Sequence, residues 1–157
     1  MLKDFYRQIY AYHTPLPDEA VYAIMGEMAQ KAALPLKVDT RFSGTRGNTG
    51  IRGSICGIST NNFTPEALTA GVLDGMVEEL VTMYRAMGMP KSGLVGSGNG
   101  IRQNRFLVSA AERALHMPMK IPAGREEAAT GAAMYAGLAT RIYKTMKHAA
   151  EAVVRYQ

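Results

Sequence analysis

Between Asp18 and Ala33 the apolar residues Val21, Ile24, Met25, Met28, Ala29 and Ala32 recur every three or four positions, the spacing of an amphipathic helix. Pro17 and Asp18 stand at its start, where a missing N–H and a negative charge are both tolerated. The period then shortens. Leu34 to Phe42 alternates around Leu36, Val38 and Thr40, and Arg52 to Ser59 carries Ile55, Cys56 and Ile58 between glycines, so two short strands are predicted. The turn-rich run Ser43-Gly44-Thr45-Arg46-Gly47-Asn48-Thr49-Gly50 lies between them, which makes the pair a hairpin.

A longer helix is predicted after Phe63, where Thr64 can cap and Pro65 suits the first helical position; it runs through Leu68, Val72, Met76, Val77, Leu80, Val81 and Tyr84 to a stop at Gly88 and Pro90. Leu94-Val95 then enters Gly96-Ser97-Gly98-Asn99-Gly100, followed by a helix from about Asn104 to Leu115 with Phe106, Leu107, Ala110, Ala111 and Ala114 inward. Met117 to Ile121 reads as another strand. Glu126 to Lys147 reads as a helix whose Ala and Gly content suits close packing on a sheet, with Ala149 to Tyr156 extending it. This order describes an open α/β layer, with a site expected at the carboxyl edge of its strands.

Length and composition agree with one domain over 1–157, its core about 16–146: 157 residues with 47% hydrophobic content support one core and not two. There is no apolar run near the roughly 20 residues of a membrane span. No signal-peptide pattern opens the chain, so a cytoplasmic location is the default. Cys56 is the only cysteine, which excludes an internal disulfide or Cys-cluster metal site and assigns it to core packing. The net charge is +5, but the basic residues are scattered, so no nucleic-acid partner is expected. The 11 methionines are read as core filling on helix faces.

Chemistry concentrates at Gly96 to Gly100. Glycines between a strand and a helix remove the Cβ atoms that would keep a ligand off the backbone. The run lacks the Gly-Lys-Ser/Thr of a phosphate loop and the acidic partner of a dinucleotide site. The amides of Asn99, Gln103 and Asn104 could hydrogen-bond a base or ribose beside it.

The run Gly96-Ser97-Gly98-Asn99-Gly100-Ile101-Arg102-Gln103-Asn104-Arg105-Phe106 resembles the adenosine-side motif in the C-terminal domain of FGGY-family carbohydrate kinases. Glu127-Ala128-Ala129-Thr130-Gly131-Ala132-Ala133 is similar to the small-residue helix that follows it there. Phe42 to Arg46, Arg52 to Ile58 and Leu73 to Met76 occur in the family's order, so the resemblance covers residues 16 to 143. Leu16 to Tyr22 and the Gly-Ser-Gly form of the turn look most like the sedoheptulokinase branch.

The resemblance implies a ribonuclease-H-like, actin-like ATPase fold, lacking its first strand or strands, and a parent enzyme that moves the γ-phosphoryl of ATP to a sugar hydroxyl with Mg²⁺. It places Gly98, Asn99, Gly100 and Asn104 around the adenosine of ATP or ADP. Ser97 stands where many members carry another small or acidic residue, which leaves a polar role there unassigned. Phosphoryl transfer also needs phosphate clamps, a metal ligand and a base, and no segment matches the family's phosphate hairpins, sugar pocket or catalytic Asp. Asp4, Asp18, Asp39 and Asp74 are the only aspartates; none sits in a phosphate turn, and no catalytic or metal-binding residue is assigned.

The remaining polar residues read as structural. Arg46 and Arg52 brace the hairpin, His13, His116 and His148 lie at the surface without partners at metal-ligand spacing, and Gly71 and Gly75 mark close contact between helix and sheet. Two functions stay open. One is the nucleotide-binding half of a sugar kinase, inactive alone and completed by an N-terminal half in the same or a separate chain. The other is a noncatalytic assembly module that keeps the fold and covers its unpaired strand edge by self-association or partner binding.

Overall fold

A computed structural model describes residues 17–90 and 92–157. Readings that fall on Asp4, Lys3 to Tyr12, His13 and Leu16 lie outside the described residues. The chain runs α1 (Asp18–Lys31), β1 (Lys37–Asp39), β2 (Ser54–Cys56), α2 (Pro65–Ala86), β3 (Leu94–Val95), α3 (Asn99–Gln103), α4 (Arg105–Leu115), β4 (Met119–Lys120), α5 (Glu127–Ala139) and α6 (Met146–Val153). It divides into two compact units. The first takes the chain up to Pro90 with Gln103–His116, and the second takes Lys91–Arg102 with Met117–Gln157.

In the first unit β1 and β2 form the expected antiparallel hairpin, with Val38 opposite Ile55. Helix α2 begins as its sequence dictates: the Thr64 side chain accepts from the Ala67 N–H and Pro65 takes the first position. One face of α2 packs Ala67 and Val72 against Leu36 and Val38, with Phe42 and Leu68 alongside. Another buries Ala70 and Leu73 against Ala29 of α1, joined by Phe106 and Leu107 of α4. Each fully buried Val or Leu contributes about 1.5–3 kcal/mol. The strand lies so close to the helix that the Leu36 N–H donates to the Ala67 carbonyl at 3.1 Å. Gly71 and Gly75 permit this, since a Cβ on either would run into the carbonyl oxygens of Leu36 and Val38.

Two expectations for this unit need correction. Met76 and Leu80 are 46% and 62% exposed, and Met83, Met87 and Met89 are exposed with them, whereas Met25 is buried. Each helical step turns the chain by about 100°, so with Val77 and Val81 inward the stripe Met76, Leu80, Met83 and Met87 is carried outward. The methionines of α2 are therefore not core filling. Cys56 is exposed because every residue of β2 is exposed and neither face of that strand is covered. Among the described residues the ladder bonds pair β1 with β2 and β3 with β4. Strands of two or three residues make few ladder bonds.

In the second unit β3 and β4 are parallel, Leu94 beside Met119 and Val95 beside Lys120, and the Gly96 N–H prolongs the ladder to the Lys120 carbonyl at 3.0 Å. The helix expected to continue from Glu126 through Lys147 and into the tail is broken instead. Thr140 turns its hydroxyl onto the Ala136 carbonyl at 2.9 Å, Arg141 takes a left-handed φ of 63°, and the Tyr143 ring folds onto Gly137, where a Cβ would come within 2.6 Å of it. Thr145 then caps α6 by accepting from the His148 N–H.

The tail does not extend α5: Ala149 to Val153 belong to α6, and the chain then returns as an extended segment, with the Ala123 N–H donating to the Arg155 carbonyl and the Gln157 N–H to the Ile121 carbonyl, both at 2.9 Å or less. The small-residue face of α5 does not lie on the sheet as its composition predicts: Ala128, Ala129, Ala132, Ala133 and Ala136 are exposed. Helix α5 packs on α6 instead, for a two-residue strand pair is too short to cover a helix of 13 residues. Among the described residues no helix is long and apolar enough to cross a membrane.

Candidate functional site

Strand β3 runs into Gly96, which is buried, and the backbone then emerges at Ser97, Gly98, Asn99 and Gly100, all exposed. Gly98 has φ 89°, a conformation that side chains with a Cβ rarely adopt. A Cβ on Gly98 or Gly100 would meet nothing within 4 Å, so the Cα side of the bend is open.

A network of side chains holds the bend from its other side. The Gly98 N–H donates to Oε1 of Glu127, in the first turn of α5, at 3.4 Å. Arg102, in α3, donates from one terminal nitrogen to the Pro122 carbonyl at 2.6 Å. Its other terminal nitrogen donates to the Gly124 carbonyl and to the Glu127 carboxylate. The Arg102 side chain is only 12% exposed, and its Nε is buried without a hydrogen-bond partner. The Glu127 carboxyl is held below the usual range by hydrogen bonds from its own backbone N–H, from Arg102 and from the Gly98 N–H. Residues 25 positions apart thus meet around one bend.

Of the expected ligand residues, Gly98, Asn99 and Gly100 belong to the second unit and Asn104 to the first. Asn99 opens α3. Asn104 has a structural role: its Oδ1 accepts from the N–H groups of Phe106 and Leu107 at 3.0 and 3.3 Å and caps α4. Its oxygen is thereby committed, and its NH₂ is the group left for a ligand. Sequence reasoning does not find Arg102 and Glu127 as a pair. The one signal available is an arginine beside the glycine bend and a glutamate opening the following helix.

Elsewhere Arg52 braces the hairpin by donating to the Thr49 and Ile51 carbonyls at 2.7 and 2.8 Å, and Arg46 is exposed. Asp39 is paired with Arg41 at 2.6 Å; that hydrogen bond and the Arg41 backbone N–H lower its carboxyl to about 2. Asp74 lies within α2, 3.8 Å from Arg113, with its pKa raised chiefly by burial. His116 ends α4 in a left-handed conformation, and both it and His148 are exposed. Among the described residues no group of three or more His, Cys, Asp or Glu is placed to hold a metal.

The model of the FGGY family of carbohydrate kinases, C-terminal domain, matches residues 14–140, and the chain belongs to that family. Its fold is the actin-like, ribonuclease-H-like fold of those domains. Among solved structures it is similar to a xylulose kinase from Rhodospirillum rubrum (TM-score 0.78, 19% identity, 99% of this chain and 32% of that one). It is similar also to a ligand-bound xylulose kinase from Lactobacillus acidophilus (TM-score 0.79, 15% identity, 99% of this chain and 32% of that one). A Plasmodium falciparum glycerol kinase solved with ADP matches with TM-score 0.71 and 18% identity over 86% of this chain and 28% of that one. The chain thus spans about a third of the length of these kinases, between 28% and 32%. No curated protein sequence matches.

Proposed function

We propose that this chain is the nucleotide-binding part of an ATP-dependent sugar kinase, with the adenosine of ATP or ADP lying on the bend from Gly98 to Gly100 near the Asn99 and Asn104 amides. One observation carries the reading: in a chain whose residues 14–140 match the family's C-terminal domain, the bend that bears the family motif leaves its Cα side open. A related fold solved with ADP supports it.

The groups that the chemistry itself demands are assigned to another part of the enzyme. Phosphoryl transfer needs clamps on the phosphates, a metal ligand and a base beside the acceptor hydroxyl. Among the described residues no group of three or more His, Cys, Asp or Glu is gathered to hold a metal, and Mg²⁺ is assigned to the complete enzyme, where it would come with the nucleotide phosphates. An N-terminal half, in the same or a separate chain, completes the enzyme, and this part alone is inactive. The segment Leu16 to Tyr22 and the Gly-Ser-Gly turn favour a sedoheptulokinase-like enzyme, for which a cytoplasmic location is proposed.

Calorimetry with ADP and Mg²⁺ tests the reading, and weak, saturable heat is expected. Gly100→Ala adds a Cβ that meets nothing within 4 Å beyond its own helix and chain neighbours, so it intrudes on the ligand's place at little cost to the fold and should weaken that heat. No heat from the unaltered chain at saturating ADP ends the nucleotide reading.

The second reading, a noncatalytic assembly module, draws on the exposed stripe of Met76, Leu80 and Met83 in α2 with Met87 at its end, an apolar face that suits a protein partner. A clean monomer by sedimentation at high concentration, with or without added N-terminal half, counts against it.

A further inference from the structure

Arg102 does more than an ordinary surface arginine, because it is largely buried and its two terminal nitrogens serve three acceptors on separate stretches of backbone and side chain. Pro122 and Gly124 belong to the loop between β4 and α5, and Glu127 opens α5. The Glu127 carboxylate in turn accepts from the N–H of Gly98. The bend is otherwise free on its Cα side, and a glycine with no contacts there has no side chain to fix its dihedral angles. The Gly98 carbonyl accepts from the Arg102 backbone N–H at 3.2 Å; what holds the Gly98 N–H is the carboxylate, and what holds the carboxylate is the guanidinium.

We infer that Arg102 is a positioning residue: through Glu127 it sets the direction of the Gly98 amide and so the shape of the surface on which a nucleotide would rest. Neither side chain contacts the ligand in this scheme. A lysine cannot replace Arg102, since one ammonium on a flexible stem does not reproduce a planar fork serving the Pro122, Gly124 and Glu127 oxygens together. Glutamine at 127 keeps an acceptor for Gly98 but loses the charge-assisted bond to Arg102. The inference rests on the nucleotide reading for its functional consequence and on the apo chain for its structural one.

The experiment pairs two measurements on the whole chain: the amide resonance of Gly98 in ¹⁵N-labelled protein, and calorimetric titration with ADP and Mg²⁺. Arg102→Lys and Glu127→Gln are compared with Arg125→Ala, a substitution in the same loop, and the spectrum of the remaining amides reports whether each variant is folded. The Gly98 resonance is expected to move in both test variants and to stay in place in Arg125→Ala. ADP binding is expected to weaken about tenfold, the range for loss of a hydrogen bond to a charged group, with Arg125→Ala unchanged. The double variant should lose little more than either single one, because the two act in series.

An unmoved Gly98 resonance in folded Arg102→Lys and Glu127→Gln overturns the inference, and so does undiminished ADP affinity in those variants. If the unaltered chain binds no ADP while the Gly98 resonance still moves, the nucleotide reading fails and the positioning of the bend stands. Should a variant unfold, binding and spectrum of the other decide.

Discussion

A Cβ on Gly71 would collide with the Leu36 carbonyl oxygen and press on the Val38 side chain, so the chain through Leu36 and β1 meets helix α2 where the helix has no side chain. Four residues on, a Cβ on Gly75 would do the same against the Val38 carbonyl. In an isolated helix an alanine at either place would stabilise by about 1 kcal/mol. Here the sign reverses. Gly71→Ala forces the strand from the helix and should cost about 1–3 kcal/mol net, the range for overpacked cores, read as a lower urea midpoint with unchanged slope. A raised midpoint would mean the contact is looser than described.

Asn104 separates a structural role from a ligand role through a choice of substitution. Asn104→Ala removes the cap of α4 and should lose about 1 kcal/mol of stability. Asn104→Ser keeps a capping oxygen without adding a charge and deletes the NH₂ donors. The expected outcome is near-normal stability by urea denaturation with weaker ADP binding by calorimetry; unchanged binding removes Asn104 from the nucleotide site.

The acid side of the stability curve should carry the mark of Asp39. Its folded carboxyl titrates at about 2, below its ordinary value of 3.8, because it accepts hydrogen bonds from the Arg41 side chain and backbone. A depressed carboxylate contributes stability that is complete above its unfolded value and is lost as pH falls through the folded one. Asp39→Asn should therefore flatten the loss of stability between about pH 4 and about 2, measured by thermal melts across that window.

Asp74 has the opposite sign. Burial raises its carboxyl, with Arg113 only partly offsetting that, so its charged form opposes folding at neutral pH and its contribution improves as pH falls. Asp74→Asn should leave the melting temperature at neutral pH unchanged or raised, and a clear drop would show that the Arg113 pair outweighs desolvation.

Leu80→Glu probes the outward stripe of α2. Leu80 is 62% exposed, so the variant should fold as stably as the parent while association, with a second copy or with an N-terminal half, weakens in sedimentation.

Much of this is legible in the sequence because local chemistry decides local structure. Thr64, Pro65 and Gly88 bracket α2 with little help from the rest of the chain, and the alternation around Val38 fixes the hairpin register. The failures share a cause. The apolar periodicity of α2 contains two faces, and the sequence does not say which is covered; Met76 and Leu80 look as buried as Val77 and Val81 until Leu36 and Val38 are in place. Cys56 reads as core because it alternates, but burial needs a second layer. The break after Ala139 contains no proline or glycine and depends on Tyr143 reaching back to Gly137. At the site, the glycine bend is visible as a local motif, while the Arg102 to Glu127 pair is hidden because long-range ion pairs leave no periodic trace.

The path of the backbone between the two units also limits how the protein can be divided. The chain passes between them at residues 90 to 91, 102 to 103 and 116 to 117, so no single cut yields either one whole. A product ending at Pro90 would strip Phe106 and Leu107 from the cluster of Ala29, Ala70 and Leu73, leaving α1 and α2 with a gap where α4 belongs. Limited proteolysis between Pro90 and Gly96 should accordingly give pieces that stay associated and separate only in denaturant.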